Sequence, residues 1–237
     1  MSVLDVGGVN NVRDVGGMPA VGGRIRRGIL LRSGQLSGAT AKGAEELRGR
    51  VAHIVDLRDG EEVAAEPSGI VGPETTHLPL FLGSVRSFFE TDTSLEDLYL
   101  HLLEESGGRL VDAIRIIAEG EPTLVHCTVG KDRTGVTVAL ALSAVGADRE
   151  AVIEDYALTE SQLPPERNRR IAAYLTELHP EAVNAVALAT QSPAPVMRRL
   201  LEMVDERWGS AADYLRAQGM TDAELEALTA ALVEPAG

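Results

Sequence analysis

Residues 122–145, PTLVHCTVGKDRTGVTVALALSAV, predict a short buried strand, a loop and a buried helix in direct succession. Pro122–Val125 is the expected strand, and the helix is expected from Thr134 to Val145, ended by Gly146. A loop placed before a helix N-terminus presents converging backbone N–H groups and the positive end of the helix dipole. The stretch therefore predicts an anion-binding loop over residues 127–133.

Cys127 is the only cysteine in 237 residues, which excludes an intramolecular disulfide and a cysteine-rich zinc site. A lone cysteine is often an unreactive core thiol, and that alternative applies here too. The donors of an anion-binding loop, however, stabilise a thiolate as they stabilise a phosphate oxygen, and the thiolate is the nucleophile. Arg133 can offer a planar fork to two phosphate oxygens. We therefore expect Cys127 to attack phosphorus and Arg133 to bind the transition state.

The other loop residues are assigned supporting roles. Thr134 can donate its hydroxyl to the cysteine sulfur, and His126 is expected to orient the loop through hydrogen bonds. A Walker A reading fails, because its first glycine falls on Val125 and Asp132 replaces the required Ser or Thr. The residues expected to bind substrate are Thr128, Val129, Gly130, Lys131, Asp132 and Arg133.

The pattern outside the loop predicts an α/β fold, with a small, mostly parallel central sheet wrapped by helices and a helical C-terminal third. Further strands are expected at 29–33, 51–58 and 75–80, and further helices at 40–50, 94–118, 148–159, 166–179, 195–208, 210–218 and 221–233. Gly107-Gly108 can interrupt the second of these helices. We expect one domain over residues 1–237, in which an α/β core over 1–163 carries C-terminal helices over 192–237.

Charge and hydropathy limit the partners. The formal net charge of −14 argues against nucleic acid and against stable association with an anionic membrane. The N-terminus lacks a basic region followed by an apolar one, and no stretch is apolar enough to cross a bilayer, so a cytoplasmic location is expected. We expect neither a metal nor a cofactor, and the sequence indicates no oligomeric state.

The segment His126-Cys127-x5-Arg133-Thr134 resembles the signature of the protein tyrosine phosphatase superfamily. The run Gly130–Gly135 is similar to its bacterial branch, typified by protein tyrosine phosphatase B. The resemblance extends over nearly the full length, through Asn11–Gly17, Leu31–Ser33, Val55–Arg58, Asp155–Thr159 and Gly209–Leu215. It implies a tyrosine phosphatase-like fold and hydrolysis of phosphomonoesters through a phosphocysteine intermediate.

The identity of the general acid stays open at this stage. The superfamily's usual acid lies in a Trp-Pro-Asp loop, but the only tryptophan here, Trp208, is followed by Gly209. The resemblance implies that Asp132 takes the role, with a purely structural function as the alternative and with Asp56 and Asp59 in reserve. Arg13, Asp14, Asp56 and Arg58 could border the site, but a buried arginine–carboxylate pair that stabilises the N-terminal segment is favoured.

The substrate and a lid are expectations from the resemblance. The branch is implied to accept phosphotyrosine, phosphoserine or phosphothreonine and lipid phosphates, and Lys131 is expected to direct a charge at the substrate. A phosphotyrosyl protein is favoured because no basic amphipathic helix is evident; a phosphoinositide phosphatase is the alternative. Helices over 164–191 are implied to form a lid, with ordinary packing as the other interpretation. Two alternatives belong to other functional classes: an inactive phosphate-binding module and a rhodanese-like sulfurtransferase.

Overall fold

A computed structural model describes residues 1–80 and 92–236, which contain nine strands and eleven helices. The strands are β1 Ser2–Val3, β2 Arg13–Asp14, β3 Pro19–Ala20, β4 Gly23–Ile25, β5 Leu30–Ser33, β6 His53–Asp56, β7 Glu74–His77, β8 Thr123–His126 and β9 Val233–Pro235. The helices are α1 Ala41–Arg48, α2 Gly60–Ala65, α3 Leu95–Glu105, α4 Gly107–Ala118, α5 Asp132–Ala144, α6 Arg149–Gln162, α7 Pro165–Leu178, α8 Ala185–Thr190, α9 Ala194–Trp208, α10 Ala211–Ala217 and α11 Asp222–Leu232.

Six strands form the central sheet in the order β1-β2-β5-β8-β6-β7. Strands β5, β8, β6 and β7 are parallel, whereas β1 and β2 join one side of the sheet as antiparallel strands. The expected small, mostly parallel sheet is therefore confirmed. A separate antiparallel sheet, β3-β4-β9, joins the segment around Gly23–Ile25 to the last strand of the chain, which the sequence patterns did not predict.

The two faces of the central sheet contribute to different apolar clusters. Leu30, Val55 and Val125 lie in the larger cluster, whereas their neighbours Leu31, Ile54 and Leu124 lie in the smaller one. This alternation is the two-residue period of a strand that is covered on both sides. Helix α5 is the centre of the larger cluster, and its residues 134–142 are all buried, as its apolar composition predicts.

The helix boundaries follow local capping chemistry. Ser94 begins α3 by accepting a hydrogen bond from the N–H of Asp97, and Thr221 and Glu224 form the expected capping box of α11. The span 94–118 is two helices, α3 and α4, that meet at Ser106. Gly107 lies so close to Gln218 that an added Cβ would be 2.1 Å from its Oε1, so close packing accounts for a glycine at the break.

The C-terminal third packs onto the core mainly as helices. Tyr214 on α10 donates a hydrogen bond to the carbonyl of Leu103 at 2.8 Å, and its ring meets Trp208 edge-on with centroids 4.9 Å apart. The short helix α2 was not expected, whereas α7 and α8 lie in the range 164–191 for which helices were expected. Within residues 1–80 and 92–236, no helix is both long enough and apolar enough to span a bilayer.

Candidate active site

The phosphate loop lies where the parallel strands end. In the sheet register His126, the last residue of β8, pairs with Ser33 of β5 on one side and Asp56 of β6 on the other. The chain then forms the loop and enters α5 at Asp132, two residues earlier than the apolar pattern indicates. Asp132 and Arg133 consequently lie in the first turn of the helix. This is the edge of a parallel sheet at which α/β proteins bind ligands.

The loop's carbonyl oxygens are held by groups outside the loop. The backbone N–H of Gln35 donates to Thr128 O at 3.0 Å, and the side-chain amide of Asn11 donates to Val129 O at 3.2 Å and to Gly130 O at 3.0 Å. The guanidinium of Arg32 donates to Gly130 O at 2.8 Å. Neighbouring groups therefore hold the loop by its carbonyl oxygens, and these contacts do not use the N–H groups of the loop.

The backbone donors of the loop are available to an anion. The N–H of Gly130 points to Cys127 Sγ at 3.2 Å. Backbone N–H groups rarely lack an acceptor when they are buried, and a bound oxyanion can satisfy several at once. Within the described part of the chain, no acceptor contacts the N–H groups of Thr128, Val129, Lys131, Asp132 and Arg133.

Gly130 is required by the shape of the loop. Its φ of +73° lies in the left-handed region, and an added Cβ would lie 2.2 Å from the carbonyl oxygen of Ser33. Both the backbone angle and the approach to β5 therefore favour glycine at this position.

A buried ionic network supports the loop from behind. Asp155 on α6 accepts from Arg13 Nε at 2.7 Å and from Arg32 at 2.6 Å, and Arg13 also donates to Thr159 at 2.9 Å. Burial and the charge of Arg32 lower the pKa of Arg13 to about 10, against the opposing effect of Asp155. Burial alone would raise the pKa of Asp155, but the two guanidiniums lower it. Buried arginine–carboxylate pairs are therefore present: Arg13 pairs with Asp155, which the sequence analysis did not name for this role, and Arg58 pairs with Asp56.

Arg133 is held by a residue that the sequence analysis missed. Glu62 on α2 accepts from both terminal nitrogens of Arg133, at 2.6 Å and 2.8 Å, and it also accepts from the hydroxyl of Thr128. Burial raises the pKa of Glu62, but the hydrogen bonds and charge of Arg133 outweigh it and lower that pKa to about 2. Burial likewise acts to lower the pKa of Arg133, but its net pKa is raised, first by Glu62 and then by Cys127. Glu62 therefore fixes one side of the guanidinium and leaves Nε free of any partner within the described residues.

Asp56, Arg58 and Asp59 form a structural group beside the loop. Arg58 donates to Asp56 from Nε at 3.0 Å and from a terminal nitrogen at 2.7 Å, and these bonds lower the pKa of Asp56 although burial raises it. Asp59 caps α2 by accepting from the N–H of Glu62 at 2.8 Å. Both reserve carboxylates are thus engaged in local structure.

His126 and Thr134 are fully buried next to the nucleophile. Burial lowers the pKa of His126 to about 4, against the charge of Asp56, so its imidazole is neutral at pH 7. The contact of His126 Nδ1 with the Cys127 carbonyl at 3.2 Å places its proton on that nitrogen, because a carbonyl can only accept. Thr134 Oγ1 is buried without a partner in the part of the chain that the structure describes, so it has a proton to donate.

Asp132 and Lys131 lie on the side of the loop that faces α8. Asp132 Oδ1 accepts from Tyr99 at 2.8 Å and lies 3.0 Å from Lys131 Nζ. The ammonium of Lys131 also donates to the carbonyls of Leu188 and Gln191, both at 2.8 Å, and the residue is only 1% exposed. In this arrangement Lys131 points to the segment 185–191, and not to the open end of the loop as the sequence analysis expected.

The chain is similar in sequence to known proteins. The model of the family described as "Tyrosine phosphatase family" matches residues 4–234. Triple specificity protein phosphatase PtpB of Mycobacterium tuberculosis is 29% identical, over 98% of this chain and 100% of the relative. A protein of Cupriavidus necator whose name assigns it to the tyrosine-protein phosphatases is 30% identical, over 88% of this chain and 81% of its own. The crystal structure of P. aeruginosa TpbA aligns with a TM-score of 0.32 and 20% identity, over 68% of this chain and 85% of that one.

The family match covers residues 4–234, and the phosphate loop lies at the carboxyl edge of the parallel strands. The chain therefore belongs to the tyrosine phosphatase family and is an enzyme of the cysteine-dependent type.

Proposed function

We propose that the chain hydrolyses phosphotyrosyl proteins through a phosphocysteine at Cys127, with Asp132 as the acid. In the first step a bond forms between Cys127 Sγ and phosphorus while the ester P–O bond breaks, and Asp132 gives its proton to the phenolic oxygen that leaves. In the second step Asp132 takes a proton from water as the water oxygen attacks phosphorus. The S–P bond then breaks, the thiolate is restored and inorganic phosphate is released.

The contacts of the loop support these roles. The free N–H groups and Arg133 Nε are donors for the phosphoryl oxygens, and Glu62 holds the guanidinium in place. Thr134, whose hydroxyl has no other partner in the described residues, is assigned to the sulfur when it leaves in the second step. The single observation that carries the proposal is the set of loop N–H groups that have no acceptor within residues 1–80 and 92–236, around a thiol that already accepts from Gly130.

The substrate range is proposed to extend to phosphoserine and phosphothreonine. A relative that matches 98% of this chain is named as a triple specificity phosphatase, which supports a range wider than phosphotyrosine. The phosphoinositide alternative would be served by a free ammonium on Lys131, but its three donors contact Leu188, Gln191 and Asp132. Occupied donors favour the phosphoprotein over the phosphoinositide.

Residues 164–191 are proposed to act as a lid within a single phosphatase domain. Their contacts with the loop run through Lys131, and Arg167 donates across the segment to Ala189 at 3.4 Å. The far end of the segment is fixed by Ser192, which accepts from the N–H of Glu160 at 2.9 Å. A lid in this place would exclude water and oxidants from a thiol that no second cysteine can protect.

Hydrolysis of an aryl phosphate by wild type and Cys127→Ser, with vanadate as inhibitor, tests the enzyme. We expect the variant to be inactive and vanadate to block the wild type. A wild type as inactive as the variant would identify a phosphate-binding module. Turnover of thiosulfate would indicate a sulfurtransferase. Rates on a phosphotyrosyl peptide, a phosphoseryl peptide and a soluble phosphoinositide head group then rank the substrates. A higher rate on the head group would reverse the assigned preference.

A further inference from the structure

A buried chain of two tyrosine hydroxyls ends on Asp132. Tyr99 on α3 donates to Asp132 Oδ1 at 2.8 Å, and its oxygen lies 2.7 Å from the hydroxyl of Tyr156 on α6. Both tyrosines are fully buried, and their rings meet edge-on with centroids 6.0 Å apart. Burial, followed by the charge of Asp132, raises the pKa of each phenol above its ordinary value, so both keep their protons.

The donors in this chain have a fixed direction. A phenol has one proton, so Tyr99 accepts from Tyr156 if it donates to Asp132. Lys131 Nζ also lies 3.0 Å from the same oxygen, and an ammonium cannot accept. Two donors thus occupy Oδ1, whereas Oδ2 has no partner within the described residues. When Tyr99 donates to Oδ1, a neutral Asp132 carries its proton on Oδ2, because a proton on Oδ1 would meet those of Tyr99 and Lys131.

Other charged groups also face Asp132. Lys131 and Arg133 flank it in the sequence, and the charges of Arg133 and of Arg167 on α7 interact with it. All three are cations, whereas Tyr99 and Tyr156 are neutral donors. Tyr99 and Lys131 contact Oδ1 directly, whereas Tyr156 acts on Asp132 only through its hydrogen bond with Tyr99.

We propose that Tyr99, aligned by Tyr156, is a positioning residue that places the proton of Asp132 on Oδ2 and directs it at the leaving oxygen. This inference rests on the proposed role of Asp132 as the general acid. Removal of the Tyr99 hydroxyl leaves Lys131 as the single donor to Oδ1 within the described residues, so the carboxyl of Asp132 is held less firmly and its proton is less restricted to Oδ2. Proton transfer is then impaired, while attack by Cys127 is not.

The effect of Tyr99→Phe should therefore depend on the leaving group. We compare kcat/KM for p-nitrophenyl phosphate, whose leaving group needs little protonation, with phenyl phosphate, whose leaving group needs it. Tyr99→Phe is expected to lower kcat/KM for phenyl phosphate about tenfold, which is part of the roughly 100- to 10,000-fold that a general acid contributes. For p-nitrophenyl phosphate the loss in kcat/KM is expected to be less than about threefold.

Matched variants separate positioning from general damage. Tyr214→Phe removes an equally buried hydroxyl from a hydrogen bond to a backbone carbonyl, far along the chain from the loop, and is expected to retain the wild-type ratio of the two substrates. Tyr156→Phe is expected to change the ratio of kcat/KM for the two substrates in the same direction as Tyr99→Phe, but by less. If Tyr99→Phe does not fold, Tyr156→Phe is used for the test instead. In an Asp132→Asn background, Tyr99→Phe should cause no further loss.

The outcomes separate the role of Asp132 as the acid from the role of Tyr99 as a positioning residue. If Asp132→Asn lowers kcat/KM equally for both substrates, Asp132 is not the acid and the proposed mechanism fails. A different result would overturn only the positioning role of Tyr99: Asp132→Asn lowers kcat/KM selectively for phenyl phosphate, but Tyr99→Phe lowers kcat/KM equally for both substrates. The same conclusion follows if Tyr99→Phe has its full effect in the double variant.

Discussion

Glu62 binds both terminal nitrogens of Arg133, at 2.6 Å and 2.8 Å, across 71 positions of sequence. The pair joins α2 to the first turn of α5, so the guanidinium is oriented before any substrate arrives. Because a preorganised fork requires no rearrangement in the transition state, Glu62 should contribute to catalysis without touching phosphorus.

We expect Glu62→Gln to lower kcat/KM about 10- to 100-fold. A glutamine can accept only one of the two hydrogen bonds, and it turns an NH2 group towards the remaining donors, at a cost of about 1.5–3 kcal/mol. Steady-state kinetics with an aryl phosphate measure the loss. Glu61→Gln, on the exposed face of the same helix, is the control, and an equal loss in both variants would contradict a specific role.

Gly130→Ala should destabilise the protein and remove activity. The added methyl would lie 2.2 Å from the Ser33 carbonyl at a φ of +73°, and strain of this kind costs about 1–3 kcal/mol. Urea unfolding and kinetics measure the two effects. Gly108→Ala, where an added Cβ meets nothing within 4 Å, should be neutral or slightly stabilising. A Gly130→Ala variant as stable and active as wild type would refute the geometry described for the loop.

The neutral state of His126 predicts how stability depends on pH. Its folded-state pKa of about 4 lies below the ordinary 6.5, so between these values the unfolded chain binds a proton that the folded protein does not. The free energy of unfolding should therefore fall as pH decreases from 6.5 to 4, by up to about 1.4 kcal/mol per pH unit. In His126→Gln this part of the slope should be missing, whereas His101→Gln, on an exposed position of α3, should retain it. An unchanged slope in His126→Gln would mean that another group titrates.

Ser192→Ala should expose Cys127 to oxidation if residues 164–191 form a lid. The variant loses the hydrogen bonds of Ser192 with Glu160 and Ala157, and a loss of about 1 kcal/mol makes an open state about fivefold more populated. The rate of inactivation by hydrogen peroxide should rise by that factor. Ser161→Ala, which removes an exposed hydroxyl bonded to Leu158, is the control; equal rates in all three proteins would count against a lid.

The sequence predicts the loop well because every part of that prediction is local. Strand, loop and helix are consecutive, and Cys127, Gly130 and Arg133 lie within seven consecutive residues. The central sheet also follows from local apolar runs such as the one that becomes β6. The assignments of individual residues to catalytic roles remain predictions until variants are measured.

The missed residues reach the loop from other elements. Glu62 lies next to the loop because β6 pairs with β8, and Asn11 and Arg32 do so because β2 and β5 lie on the other side. The capping pattern of Asp59 and Glu62 could have indicated the start of α2, but not that the same carboxylate also binds Arg133. The orientation of Lys131 depends on the carbonyls of Leu188 and Gln191, and backbone groups leave no trace in a sequence pattern.

Asp155 shares its one negative charge between Arg13 and Arg32, and Arg32 in turn binds the carbonyl of Gly130. The cluster behind the loop therefore keeps a surplus of positive charge inside a chain whose net charge is −14. In physiological salt a field decays over roughly 8 Å, so this surplus acts only on groups that enter the loop. The attraction for an anion is thus local to the loop, although the chain as a whole carries a net negative charge.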